Sequence, residues 1–319
     1  MSKILIVGGA GFIGFSLATE LSKNKKNKIV LLDNLSRGKA DHDFIKLTKK
    51  KNIKFVKKNL LNNININEYN FDYIFQFAAI VGVKNVYKDP FAVLKNNVKI
   101  HLNAINFARK QRNLKKFIFS STSEVFIGTL EKKKLKFPTS ENETIILNKI
   151  SNPRTSYMLS KIYCESLLIQ SNLNYLILRP HNIFGPRMGY DHVIPEIIIK
   201  ILSLNQNSKL EIQNFSHKRA FCYIDDAIKQ IKILTYNKEC KNKIINIGSG
   251  KEIKILDLIY RIVKLMKRRD IKFKLINNKN RSPKRRVPNL TRNKYFTNLR
   301  KRTNLNIALK KTLNWYKFN

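Results

Sequence analysis

The sequence predicts an α/β protein: a doubly wound parallel sheet with a smaller, interleaved domain after it. Three observations predict this. Short continuous apolar runs alternate with segments of helical period through roughly the first 180 residues. The first run ends in a glycine-rich turn that opens a helix. The later half mixes helix and strand signals with no internal repeat and no Pro/Ser-rich linker, so the halves interleave rather than stand apart.

KILIVGG (3–9) is a buried strand that ends on glycines, and residues 12–23 continue at helical spacing. KIVLLD (28–33), NIKFV (52–56) and DYIFQFAA (72–79) are further strands. A long helical pattern covers 91–110, followed by the strand KKFIFSS (115–121). A helix through Tyr157 runs to about Gln170, and NYLILRP (174–180) is the next strand. Strands covered on both faces read as continuous apolar runs, which is why these imply a parallel sheet between helices. Further on, 193–203 is a helix, KIINIGSG (243–250) a strand, ILDLIYRIVKLM (255–266) a helix and LNIALKKTLNWYKF (305–318) a terminal helix. NKNRSPKRRVPNLTRNK (278–294) is polar and basic with two prolines and reads as a loop. The expected division is 1–178 for a cofactor-binding domain with the catalytic residues, and 179–319 mainly for substrate.

At 319 residues and 43% hydrophobic, with 19 Phe, the chain has ample core for this plan. No apolar run reaches the ~18 residues of a membrane span. The start, MSKILIVGG, enters a strand directly without a signal-peptide pattern. The three cysteines, Cys164, Cys222 and Cys240, are scattered and lack metal-ligand spacing. They point to a reducing, cytoplasmic setting without disulfides and with no metal.

A net charge of +42 raises nucleic acid as a partner. Residues 261–319 alone hold 20 Lys or Arg against one acid, Asp270. Yet Lys, Asn and Ile crowd loops and helices alike, as coding bias would produce. No nucleic-acid module or aromatic stacking signature accompanies the charge. Nucleic acid is therefore not the expected primary partner, whereas attraction of a doubly charged phosphate substrate follows from the same field.

GGAGFIG places Gly9, Gly11 and Gly14 at G-x-G-x-x-G spacing, with Gly8 just before. Glycines there allow a tight turn and close approach of backbone to a pyrophosphate, with the N–H groups of the helix start facing it. Asp33 closes the second strand, where a carboxylate would bind the adenosine ribose hydroxyls. Together these predict a Rossmann-type dinucleotide site. A carboxylate repels a 2′-phosphate, which favours NAD over NADP, although Arg37 keeps the alternative open.

Tyr157 and Lys161 in YMLSK lie one helical turn apart on one face. A phenol beside a fixed ammonium makes a proton-transfer group, because positive charge favours the phenolate. The same spacing recurs at Tyr260 and Lys264, inside an amphipathic run, where a boundary tyrosine and a solvated lysine suffice.

GGAGFIG, LLDNLSRG, FAAIVGV, SSTSEVF, YMLSK, RPHNIFGPR and RAFCYIDDA occur in this order. With these seven motifs the chain resembles the extended short-chain dehydrogenase/reductase family, the NAD-dependent sugar-nucleotide epimerases and dehydratases, over nearly its whole length. Tyr260 and Lys264 fall outside the order. The resemblance implies NAD as cofactor, bound by Gly8, Gly9, Gly11, Phe12, Ile13, Gly14, Asp33 and Asn34, by Asn59 and Leu60, by Ala78 and Ala79, and by Asn97, Tyr157 and Lys161. It implies Tyr157 as base, with Lys161 holding the nicotinamide ribose and lowering the tyrosine pKa. Thr122 would bond the sugar hydroxyl being oxidised, with Ser123 and Glu124 beside it. Val81, Asn182, Arg219 and Arg286 would meet a nucleotide-sugar substrate, with Arg285 the alternative to Arg286. Plainer roles exist: strand-end Ser and Thr cap helices, Asn97 can bind backbone, and Arg219 can be one more surface charge. The chain departs from the family at Asn59, which replaces an aspartate facing adenine, and at Phe126. It departs again at Pro180 and His181, the latter open either to acid/base work or to packing.

The shared chemistry is oxidation of the sugar 4-hydroxyl to a ketone. Return of hydride to the opposite face gives 4-epimerisation, the first expectation, on a UDP-sugar. A carboxylate at carbon 6 would instead leave as carbon dioxide, so UDP-glucuronate decarboxylation is the alternative, and Thr-Ser-Glu is similar to that signature. Family dehydratases carry Asp-Glu after the Thr, and Ser123 here removes one carboxylate, which counts against 4,6-dehydration. A non-catalytic NAD- or RNA-binding scaffold is the rival from another class. The resemblance also implies a homodimer through helices 91–110 and 155–170.

Overall fold

A computed structural model describes residues 1–66, 70–276 and 283–318. Its first half contains β1 (Lys3–Val7), α1 (Phe12–Leu21), β2 (Lys28–Asp33), α2 (His42–Thr48), β3 (Ile53–Lys57) and β4 (Tyr73–Gln76). There follow α3 (Val83–Lys88), α4 (Pro90–Arg109), β5 (Lys116–Ser120), α5 (Ile127–Glu131), α6 (Pro153–Ile169) and β6 (Tyr175–Pro180). The later part holds β7 (Ile183–Phe184), α7 (Val193–Ser203), β8 (Lys209–Gln213), β9 (Lys218–Ala220), β10 (Cys222–Tyr223), α8 (Ile224–Tyr236) and β11 (Lys243–Ile247). It closes with β12 (Glu252–Lys254), α9 (Ile255–Leu265), β13 (Lys272–Ile276), β14 (Arg285–Arg286), α10 (Thr291–Thr297) and α11 (Leu305–Phe318).

Seven strands form one sheet in the order β11-β6-β5-β4-β1-β2-β3, and every pairing is parallel. Side chains of β1 alternate between its faces: Ile4 and Ile6 join one apolar cluster, Leu5 and Val7 the other. Both faces are thus dry, as the continuous apolar runs require. The order reverses between β1 and β4, and such a switch point opens a crevice at the carboxyl ends of the strands. A division at 178 falls inside β6, and β11 returns from the second half to the sheet edge beside it.

The basic stretch expected as a loop is only partly one. Residues 278–282 lie outside the described residues. Arg285 and Arg286 pair with β9 as β14, and Thr291–Thr297 is helical. α8 is absent from the expected elements, although Ile224, Ala227, Ile228, Ile231 and Leu234 recur at helical spacing and are buried.

His101 on α4 is fully buried against Phe119, with ring centroids 4.2 Å apart. Burial, with Lys161 nearby, lowers its pKa to about 3. The unfolded chain takes up this proton below its ordinary value of 6.5, while the fold resists until about 3. The stabilisation is therefore complete above the unfolded value and declines as pH falls through that window. His181 behaves likewise, lowered by burial to about 4. We expect urea midpoints to fall between pH 7 and pH 4.5, and His101→Leu to remove about 1.4 kcal/mol per pH unit of that slope. An unchanged slope in His101→Leu would refute the assignment.

Candidate active site

At the switch point lies a cleft of ≈ 1470 Å³. Its cofactor side is built by the turn after β1. Gly8 has φ +84°, and a Cβ on it would stand 2.6 Å from the Ala78 nitrogen. A Cβ on Gly14 would stand 2.2 Å from the Gly8 oxygen. Only glycines let α1 begin this close to the strand. Asp33 is buried at the end of β2, where its carboxylate accepts from the backbone N–H of Ala10 (3.0 Å) and of Leu35 (2.8 Å). Each of its oxygens keeps a lone pair for another donor. A positive-φ turn, a helix start and an anchored carboxylate fit a dinucleotide such as NAD. Phe12, Ile13, Asn34, Asn59, Leu60, Ala78 and Ala79 line this part of the cleft. The Asn59 side chain is already used, accepting from Leu61 N at 3.1 Å.

The reacting side is carried by β5, the turn after it and α6. Asn152 caps α6 through its side chain and Pro153 starts it, so Tyr157 and Lys161 follow in the first turns on one face. Thr122 accepts from Glu124 N at 3.2 Å, and its hydroxyl is near enough to Tyr157 to pull the phenol pKa down. Lys161 is 4% exposed and donates to Ser120 O at 2.8 Å, with Nζ 4.8 Å over the Phe119 ring. Its pKa falls to about 8, chiefly through burial. Tyr157 moves the other way: burial and Glu124 push the phenol above its ordinary value, against Thr122 and Arg37, which pull it down. The expected depression of Tyr157 by Lys161 is therefore not what the geometry gives. The ammonium is directed to Ser120 O, and its Nζ lies 5.9 Å from the tyrosine ring centroid.

Glu124 is held on both oxygens, by Arg154 at 2.8 Å and by Arg286. Burial alone would raise its pKa, but Arg286 and Arg154 outweigh it and keep the carboxyl below its ordinary value. Arg285 points away, paired with Glu252 at 2.6 Å, so Arg286 is the arginine of the cleft. Ser121 Oγ and Asn182 Nδ2 are among the cleft's buried polar atoms without a hydrogen-bond partner among the described residues, as are Arg187 Nε and His217 Nδ1. Asn182 also sits at φ +42°, in the left-handed region that asparagine tolerates. Val81, Ser123 and Arg219 also line the cleft, and burial lowers the Arg219 pKa to about 10.

A family model of NAD-dependent epimerases and dehydratases matches residues 4–248. The chain belongs to the NAD-dependent epimerase/dehydratase family. It is 34% identical over 277 residues to a dTDP-D-glucose 4,6-dehydratase of Dictyostelium discoideum, covering 83% of this chain and 62% of that protein. The chain thus spans less than two thirds of the length of that relative. It is 33% identical over 265 residues to a UDP-N-acetyl-α-D-glucosaminuronate decarboxylase of Bacillus cytotoxicus, covering 80% of this chain and 78% of that protein. In fold it is similar to a UDP-glucuronic acid 4-epimerase of Bacillus cereus solved with UDP-glucuronic acid and NAD. The TM-score is 0.83 over 99% of both chains, at 24% identity.

Within this family frame, several expected residues stand elsewhere. Asn97 is buried under the 78–82 loop, accepting from Ile80 N (2.7 Å) and donating to Ile80 O (3.0 Å). It shapes the cofactor wall without lining it, the plainer of its two roles. Gly9 packs against Leu31, off the cleft. His181 lies with its ring on Asn246 at 3.1 Å and is 3% exposed, a packing residue rather than an acid or base. Arg37, which left a 2′-phosphate open, does line the cleft, and its guanidinium lies beside Gly189. Tyr260 meets Phe273 edge to face, away from the cleft. Arg154, Arg187 and Tyr190 line the cleft without being among the expected residues. Arg154 has a local signal, one turn before Tyr157 in NPRTSY. Arg187 ends the RPHNIFGPR motif.

Proposed function

We propose that the chain oxidises the 4-hydroxyl of a UDP-linked sugar and returns hydride to the same carbon, a 4-epimerisation. The arginine clamp on Glu124 carries this reading. Elimination across carbons 5 and 6 needs a free base and an acid beside it. Ser123 supplies neither, and a carboxylate kept ionised by two guanidinium groups is a weak base. One acid/base group remains, Tyr157, and epimerisation needs only one. Bound NAD supplies the hydride acceptor and then the donor. The protein's part is to orient the sugar through Thr122 and the unpartnered Ser121 and Asn182, and to move one proton at the Tyr157 oxygen.

A second reading has its own observation. Arg154 and Arg286 meet at a single carboxylate, leaving a surplus positive charge that suits a uronate carboxylate at carbon 6. Decarboxylation of a nucleotide-linked uronate would then follow oxidation. Incubation with UDP-glucose, UDP-galactose and UDP-glucuronate, read by mass spectrometry and chromatography, separates the two. Unchanged mass with a new retention time means epimerisation; loss of carbon dioxide means decarboxylation; loss of water overturns both. No turnover of any of them favours a non-catalytic scaffold.

We also propose a homodimer through α4 and α6, which pack on each other and leave Phe91, Leu102, Tyr163 and Ile169 exposed. Light scattering at twice the chain mass would support it, and a monomer would overturn it. A reducing cytoplasm suits three buried free cysteines, and no helix among the described residues is long and apolar enough to cross a membrane.

A further inference from the structure

Arg187 leaves the substrate wall five residues after Asn182 and crosses to the cofactor side. Its backbone has φ +64°, a left-handed conformation uncommon for an arginine. The side chain is 5% exposed and forms an ion pair with Asp41, beyond the ribose-binding end of β2. Its guanidinium lies 4.0 Å over the ring of Phe15 on α1. Nη2 reaches the carbonyl oxygens of Ala10 (3.4 Å) and Lys39 (3.3 Å). Ala10 is the residue whose N–H is fixed by Asp33. One side chain from the second half of the chain thus touches the glycine turn, the dinucleotide helix and the loop after Asp33.

We infer that Arg187 is a positioning residue for the cofactor loop, a clasp that retains NAD between the two hydride steps. Arg37, Gly38, Lys39 and Asp41 line the cleft along with residues 187–191, and the Arg187–Asp41 pair bridges the two segments. Release of the dinucleotide requires the two sides to part. A pair this poorly exposed is little screened by salt, so opening leaves a charge without its partner. A second ion pair at the cleft, Lys84 to Asp191 at 2.7 Å, has side chains 82% and 41% exposed and is a weak tie. The inference rests on the family's cofactor and not on the sugar, so it survives the failure of either substrate reading.

The test is the rate of NADH release, followed by loss of NADH fluorescence when loaded protein is mixed with excess NAD. Asp41→Asn is the cleaner variant: an asparagine oxygen can still accept from Phe44 N and cap α2, while the charge is lost. Arg187→Met removes the other partner. Both should release NADH about ten-fold faster, and Asp41→Glu should restore most of the retention. Lys84→Ala should stay within about two-fold of the parent. Release unchanged in a folded Asp41→Asn overturns the inference. So does loss of the folded state in both variants, because the pair would then be a structural brace.

Discussion

Tyr157→Phe should lower kcat by roughly 10²–10⁴ while leaving NAD affinity nearly unchanged. The substitution removes one oxygen. Phe keeps the ring, and the helix that carries it is set by the Asn152 cap and Pro153, not by the hydroxyl. What is lost is the oxygen, close to Thr122, that we propose takes the sugar proton. The phenol starts above its ordinary value because it is buried beside Glu124. Turnover of the parent should therefore climb with pH until Lys161, lowered to about 8, loses its charge. Single-turnover formation of NADH absorbance measures the oxidation step directly, and equilibrium fluorescence measures cofactor affinity. A variant that retains the parent rate would remove Tyr157 from the chemistry. One that loses NAD affinity in proportion would make the hydroxyl a binding group.

The second large effect concerns stability. Arg179 on β6 forms a bidentate pair with Glu165 on α6, at 2.9 and 2.7 Å, with side chains 3% and 6% exposed. Arg179 also donates to Glu141 O at 3.0 Å, and Glu141 accepts from Asn246 N on β11 at 2.8 Å. Asn246 in turn donates to Thr139 O and Asn289 O, close to the strand of Arg286. Arg179→Met should cost about 3–5 kcal/mol by leaving a buried carboxylate without compensation. Arg179→Met/Glu165→Leu should recover most of it, since two apolar side chains leave no buried charge. Urea unfolding of the three proteins decides the matter. A double variant as weak as the single one would show that the Glu141 contact carries the effect.

The main sheet was legible because its strands are dry on both faces, and such runs stand out against a background rich in Lys and Asn. β9, β10 and β14 span only two or three residues each and exist through partners distant in sequence, so no local period announces them. The Tyr157–Lys161 spacing was readable, but the direction of the tyrosine shift was not. It depends on depth and on where the ammonium points. Arg154 and Arg187 are two of 63 cationic residues. Nothing in composition marks that these face inward, and only the fold brings Glu124 and Asp41 to them.

β11 has one more consequence, for synthesis on the ribosome. The outer edge of β6 is covered only when Lys243–Ile247 has been made. Until then the nascent sheet shows an open row of amides and carbonyls beside hydrophobic faces, a template for pairing with neighbouring chains. A chain interrupted near residue 178 would keep that edge, together with a broken strand, for its whole lifetime. The cofactor half is thus not an independent unit to be expressed or inherited alone. Its last strand is encoded after Asn182 and Arg219 of the substrate wall and before Arg286, and the two halves must be translated together for either to leave the ribosome without a sticky border.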